Sequence, residues 1–118
     1  MRLSADSEFA YSQFVSRVSG SQAVWFLLDV ENDYPACCES NHNDKTVFPF
    51  WSDRAYAKRA SENFDFETRV DSIPLDNFLE RTLAHISEIN ALVGPNWNKD
   101  LAGIEVLASD VLQALAQD

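Results

Sequence analysis

The feature that most constrains the fold is the junction between an apolar segment and a helix start within residues 47–57. The apolar segment is rich in β-branched and aromatic residues and ends in Pro49-Phe50-Trp51, which is typical of a strand. Ser52-Asp53 follows at once, and residues of these types commonly begin helices. The alanine-rich stretch after them can pack closely on a sheet. The junction therefore predicts a strand that runs directly into a helix.

The segments before this junction carry one helix signal and three strand signals. Residues 4–19 have the apolar spacing of a helix, and Gly20 is the expected left-handed stop. Residues 23–28 form a continuous apolar run with the length and composition of a buried strand. Residues 34–40 predict a weaker strand that contains a proline, and residues 45–50 predict a third. Together the three strand segments predict an antiparallel meander.

The rest of the chain alternates helix and strand signals. Further helices are expected at 52–63, at 75–90 and from Ser109-Asp110 onward, and further short strands at 66–73, 92–93 and 103–106. The sequence therefore predicts an α+β fold in one domain over residues 1–118, with about four helices packed on an antiparallel sheet. That sheet combines the N-terminal meander with the short later strands. The side chains expected to form one core are Trp25, Phe26, Leu28, Phe48, Phe50, Phe78, Leu79 and Leu83.

The net charge of −10 narrows the range of partners. Nucleic acids and anionic membrane surfaces are bound through clustered Lys and Arg, and the chain has neither residue beyond Lys99. The acidity either keeps the protein soluble or forms an acidic face for a basic partner. No apolar run approaches the ~20 residues of a membrane span, and the first residues lack the apolar part of a secretion signal. A cytoplasmic protein that binds neither nucleic acid nor membrane is expected.

Four motifs, taken in order, resemble a known family. They are Trp25-Phe26-Leu27-Leu28, Phe48-Pro49-Phe50-Trp51, Ile73-Pro74-Leu75-Asp76-Asn77-Phe78-Leu79 and Gly94-Pro95-Asn96-Trp97. With these motifs the chain resembles the DUF2750 family of small bacterial proteins of unknown function over residues 9–116. It departs from the family pattern at Pro95 and at the Cys37-Cys38 pair. The resemblance implies a single α+β domain of bacterial origin, and it supplies no catalytic residues.

The aromatic residues at strand ends define the candidate binding surface. Trp51 and Trp97 each end a strand-like segment beside a turn, where pockets tend to form. An indole combines a large apolar surface with an N–H donor, so such a pair suits a cleft for a ligand or peptide. Asn96 and Tyr56 complete the candidate surface. The alternative is that both indoles are core packing, as is expected for Trp25 inside its apolar run.

Residues with reactive or metal-binding side chains do not form a recognisable site. Cys37, Cys38 and His42 lie close in sequence, but adjacent strand residues point to opposite faces, so the two thiolates cannot easily share a zinc ion. Carboxylates are too numerous for any pair to indicate acid–base catalysis. No phosphate-binding glycine loop is present in the sequence. We therefore predict no catalytic residues, no metal and no cofactor.

One basic cluster lies within a predicted helix. It is either a solvated face of that helix or a site for an anion. It consists of Arg54, Lys58 and Arg59.

The sequence as a whole favours a non-catalytic binding or regulatory module, of the immunity or adaptor type, with a protein partner. The alternative is a small-molecule-binding protein or enzyme with an aromatic cleft near Trp51 and Trp97. An enzyme needs polar groups that converge in a pocket, whereas a binding module needs an exposed apolar or charged patch.

Overall fold

A computed structural model describes residues 3–40 and 44–116 of the chain. It confirms the α+β class, with four helices and two sheets in the described residues. The elements in chain order are α1 Leu3–Ser21, β1 Ala23–Asp29, β2 Tyr34–Pro35, β3 Cys38–Glu39, β4 Thr46–Phe50, α2 Arg54–Ala60, β5 Thr68–Pro74, α3 at 75–88, β6 Leu92–Pro95, β7 Val106–Leu107 and α4 Ala108–Ala116. Helix α3 consists of the consecutive segments Leu75–Asn77, Phe78–Thr82 and Leu83–Glu88, of which the middle one is a π-helical turn.

The strands form two sheets rather than the single sheet that the sequence predicts. The three-stranded sheet has the antiparallel order β2-β1-β5, and the four-stranded sheet has the order β3-β4-β6-β7, in which β4 and β6 are parallel. The two sheets meet where Trp25 and Trp51 exchange two backbone hydrogen bonds of 2.8 Å. The strand-to-helix junction at Trp51 therefore lies where the sheets join.

The predicted strand at 34–40 is divided between the two sheets, so the predicted meander is wrong in its middle segment. Tyr34–Pro35 pairs with β1, and Cys38–Glu39 pairs with β4. The pairing with β1 ends with a bond from Ala36 N to Leu27 O of 2.7 Å. In this register Pro35 occupies a position that does not bond to β1, so its missing N–H faces the open edge of the sheet, where proline is tolerated. The chain is then free to cross to the second sheet.

Helix α1 ends two residues later than predicted, and Gly20 is not its left-handed stop. Gln22 takes that conformation, with φ of 64°, and its N–H donates to Val18 O at 2.7 Å. This bond is the usual one for a left-handed helix end. The carbonyl of Gln22 then accepts the N–H of Leu75 at 2.9 Å, which ties the end of α1 to the start of α3.

The last two elements also begin elsewhere than predicted. The strand expected at 103–106 is Val106–Leu107. Extending its register with β6 would set Ile104 opposite Pro95, which has no N–H to donate, and Ile104 O instead accepts a hydrogen bond from the Trp97 indole. Helix α4 begins at Ala108, so Ser109 and Asp110 lie in its first turn rather than before it.

The main core lies between the sheets and helices α1, α3 and α4 and contains most of the predicted residues. Phe26, Phe48, Phe50, Phe78 and Leu83 are buried in it, and Leu28 and Leu79 pack against it partly exposed. Trp25 is the exception, because successive strand residues point to opposite faces. It packs with Trp51 in a second cluster that also contains Leu27, Ala36, Ala57 and Ala60.

Candidate functional site

Trp51 and Trp97 lie side by side, as predicted, but their rings are buried. Trp51 is 0% exposed and Trp97 is 5% exposed. The Trp51 indole N–H donates to Trp97 O at 2.8 Å, and the Trp97 indole N–H donates to Ile104 O at 2.7 Å. Both polar handles are therefore used inside the protein, so neither ring is free to contact a ligand. The sequence left both interpretations open because a strand end beside a turn can face inward or outward, and both rings follow the core-packing alternative.

Two glycines leave the space for the Trp97 ring. A Cβ atom at Gly94 would lie 2.6 Å from Nε1 of Trp97, and a Cβ atom at Gly103 would lie 2.5 Å from its Cδ1. Real Cβ atoms do not approach other heavy atoms so closely, so both positions require glycine unless the ring moves. The pair fixes the ring between strand β6 and the loop that precedes β7.

Asn96 links three elements through its amide group. Its backbone is left-handed, with φ of 48°, a conformation that Asn tolerates better than most residues. Its Oδ1 accepts the backbone N–H of Ser52 at 2.8 Å, and its Nδ2 donates to Ser52 Oγ at 3.1 Å and to Ala10 O at 3.4 Å. Asn96 is thus a half-buried connector between β6, the start of α2 and helix α1.

Tyr56 carries the part of the predicted surface that reaches solvent. Two guanidinium groups lie near its half-buried ring, with Cζ of Arg17 at 5.9 Å and Cζ of Arg59 at 5.5 Å from the centroid. Arg17 also donates to Asp53 Oδ2 at 2.8 Å, and Ser52 Oγ donates to the same oxygen at 2.9 Å. Asp53 occupies the predicted start of α2, although its side chain makes no capping bond there. A binding role for Tyr56 and Asn96 stays a prediction.

The two cysteines have the properties of unreactive thiols. Burial, together with the neighbouring Cys37, raises the pKa of Cys38 to about 11. Burial and then Asp29 raise the pKa of Cys37. A nucleophilic cysteine needs a lowered pKa, so neither thiol is activated at neutral pH.

The described residues contain no group of three or more His, Cys, Asp and Glu side chains that could hold a metal ion. His42, which the sequence places near the cysteine pair, lies outside the described residues.

An apolar groove between α3 and α4 is a structural feature that the sequence did not reveal. We call it the α3–α4 groove; its volume is about 190 Å³, and it is lined by Leu79, Leu83, Ala84 and Ser87 of α3 and by Ala108, Ser109 and Leu112 of α4. Leu112 is 41% exposed although it is a large apolar residue. Leu79 and Leu83 belong to the apolar stripe of α3 from which the core was predicted. The sequence of such a stripe does not show which part of it remains uncovered by the rest of the protein.

The π-helical turn at Phe78–Thr82 forms part of the groove wall, since Leu79 lies within it and Leu83 follows it. Single π-helical turns are often found at functional sites.

No helix among the described residues is long and apolar enough to cross a membrane.

Fold and site together define a class: an α+β protein with two bridged sheets, a buried tryptophan pair and an open apolar groove between two helices. The chain belongs to the DUF2750 family, because the family model described as "Protein of unknown function (DUF2750)" matches residues 11–115. The predicted resemblance is thereby confirmed. No curated protein and no solved structure matches the chain. The matched range includes both the tryptophan pair and the α3–α4 groove.

Proposed function

We propose that the protein is a non-catalytic binding module that holds an amphipathic helix of a protein partner in the α3–α4 groove. The observation that carries the proposal is an open apolar groove between two helices with a large, 41% exposed leucine, Leu112, in its wall. Helices commonly bind in such grooves by inserting apolar side chains spaced three and four residues apart.

The size of the groove favours a partner's side chains over a small molecule. Ligand pockets usually enclose roughly 300–1,000 Å³. The α3–α4 groove has about 190 Å³ and is open along the surface. A space of this kind suits one or two apolar side chains of a helix whose remaining surface lies across the rim.

The chemistry of the groove favours binding over catalysis. Its lining contains two hydroxyl groups, of Ser87 and Ser109, and no titratable side chain. General acid–base and nucleophilic catalysis need a titratable group within reach of the substrate. The alternative of an enzyme or small-molecule binder with an aromatic cleft has less support, because the rings of Trp51 and Trp97 are buried and their N–H groups are occupied.

A peptide titration tests the proposal. The probe is a synthetic amphipathic helix of about 18 residues, long enough to be helical in isolation, with leucines at positions i, i+3, i+4 and i+7 and uncharged glutamines on the polar face. Isothermal titration against the full chain is expected to show saturable binding. Leu112→Glu places a charge in the groove wall, so it should weaken binding by about tenfold or more, or about 1.4 kcal/mol.

The matched control is Val30→Glu, since Val30 is 39% exposed but lies beyond the end of β1. It should leave the affinity unchanged. Absence of saturable binding to the wild-type chain, or equal losses in both variants, contradicts the proposal.

A further inference from the structure

We infer that the α3–α4 groove selects a partner helix whose polar face is cationic. The inference rests on the proposed function and adds the chemistry of the partner. The charged side chains around the groove are distributed unevenly over the faces of α3.

Exposed carboxylates lie on the groove side of α3. Leu79 and Leu83 are four residues apart and both line the groove, so this spacing keeps one face of the helix even across the π-helical turn. Glu80 precedes Ala84, another lining residue, by the same four residues. Glu88 follows Ala84 by four residues, at the other end of the helix. Both glutamates are exposed and flank the apolar lining along its length.

One basic side chain of α3 is turned away from the groove. His85 Nε2 is 3.0 Å from Tyr34 Oη, and its ring packs edge-on against the Tyr34 ring. This contact turns His85 toward β2. Arg81 lies four residues before His85 and three residues before the lining residue Ala84, so it borders the groove side. Carboxylates therefore outnumber basic groups on the groove side of α3, with Glu80 and Glu88 against Arg81.

Glu80 and Glu88 take part in no ion pair with another described residue. The ion pairs of the described residues use the carboxylates of Asp53, Asp71 and Asp100. Lys45 lies beyond the end of α3, where its Nζ is 3.3 Å from Asn90 Oδ1. Helix α4 contributes no basic residue, because the sequence has neither Lys nor Arg beyond Lys99. An apolar groove with a predominantly negative rim complements a helix with leucines on one face and Lys or Arg beside them. The same rim opposes an acidic helix, which adds selectivity.

The test compares three peptides that share the same leucine positions and differ only in the polar face, which carries Lys, Gln or Glu. The Lys peptide is expected to bind about tenfold more tightly than the Gln peptide at about 50 mM salt, and the difference should shrink at about 500 mM salt as screening increases. The Glu peptide should bind most weakly.

The variant Glu80→Gln should reduce the preference for the Lys peptide over the Gln peptide. Glu62→Gln, at an exposed glutamate after α2, should not.

The outcomes separate the inference from the proposed function. Equal binding of the Lys and Gln peptides overturns the inference and leaves the proposed function standing, whereas no binding of any peptide overturns both. A Lys peptide with scrambled leucines that binds as well as the original shows general charge attraction and also overturns the inference. Sedimentation of the free protein as a dimer that Leu112→Glu dissociates identifies a second copy as the occupant, with the same consequence.

Discussion

At the scale of single residues, the tightest constraint is the space around Trp97. Its ring fills the volume that side chains at Gly94 and Gly103 would need, and its N–H holds Ile104 O. The loop before β7 is therefore fastened to the ring by packing on one side and a hydrogen bond on the other.

Gly103→Ala is expected to destabilise the protein, because the new methyl group overlaps the Trp97 ring and the loop must shift. Overpacking of this kind costs roughly 1–3 kcal/mol in the free energy of unfolding. The measurement is the urea midpoint. Gly20→Ala is the control, since a Cβ atom there meets nothing within 4 Å and Gly20 lies inside α1. That variant should gain about 0.5–1 kcal/mol, and the prediction is wrong if both variants move in the same direction.

The cysteine pair gives a prediction about pH. Burial favours the neutral thiol of Cys38 and raises its pKa to about 11, above the value of about 8.5 for an unfolded chain. Between these two values the unfolded state has already lost the proton that the folded state keeps. The contribution of this group to stability is therefore complete below about pH 8.5 and is lost as the pH rises toward 11.

The rate of alkylation by iodoacetamide measures this shift directly. In a Cys37→Ser variant, burial of Cys38 remains while the contribution of Cys37 is lost, so the rate for folded protein should rise at a higher pH than the rate for the same variant in urea, where the rise is expected near about pH 8.5. Coincident profiles for the folded and unfolded chains contradict the assignment.

At the scale of elements, the sequence predicted the helices and strands whose structure is decided by their own residues and not by distant partners. The existence of helix α1 and strand β1 follows from local apolar spacing, and α2 begins after Asp53 as predicted although the Asp53 side chain makes no capping bond. The segment at 34–40 could not be predicted, because its pairing depends on which of two sheets offers an open edge. The strand expected at 103–106 is shorter because its ladder with β6 would reach Pro95, which has no N–H to donate to Ile104 O. The Trp97 indole donates to that carbonyl instead.

Phe78→Ala is expected to cost ~3–5 kcal/mol in the free energy of unfolding. Phe78 is 0% exposed, and its ring meets that of Phe50 edge-on at a centroid distance of 5.0 Å. The change should lower the urea midpoint strongly. Phe9→Ala is the control, because Phe9 is 65% exposed, and its cost should stay within about 0.5 kcal/mol. Similar midpoints for the two variants would remove Phe78 from the core.

At the scale of the whole molecule, the class was predictable and the groove was not. The α+β class and the family follow from motifs spread along the chain. The Cα radius of gyration is 13.0 Å, and the organisation of residues 1–118 as one domain stays a prediction. The sequence left open whether Trp51 and Trp97 form a cleft or pack in the core, and their burial favours the second alternative. The α3–α4 groove depends on how two helices far apart in the chain meet, and no local pattern encodes that.

The parallel pairing of β4 and β6 imposes an order of assembly on the chain. Val47 pairs with Leu92, and the residues between them include β5 of the other sheet and the whole of α3. Pairing β4 with β6 must overcome the entropy of closing the long segment between them. Pairing β1 with β2 costs less, because only a short turn joins these two strands. During synthesis, β4 leaves the ribosome with one edge open and keeps it open until residues 92–95 follow. For that interval an apolar strand is exposed to neighbouring chains, so the nascent protein is most prone to aggregate just before its last quarter is made.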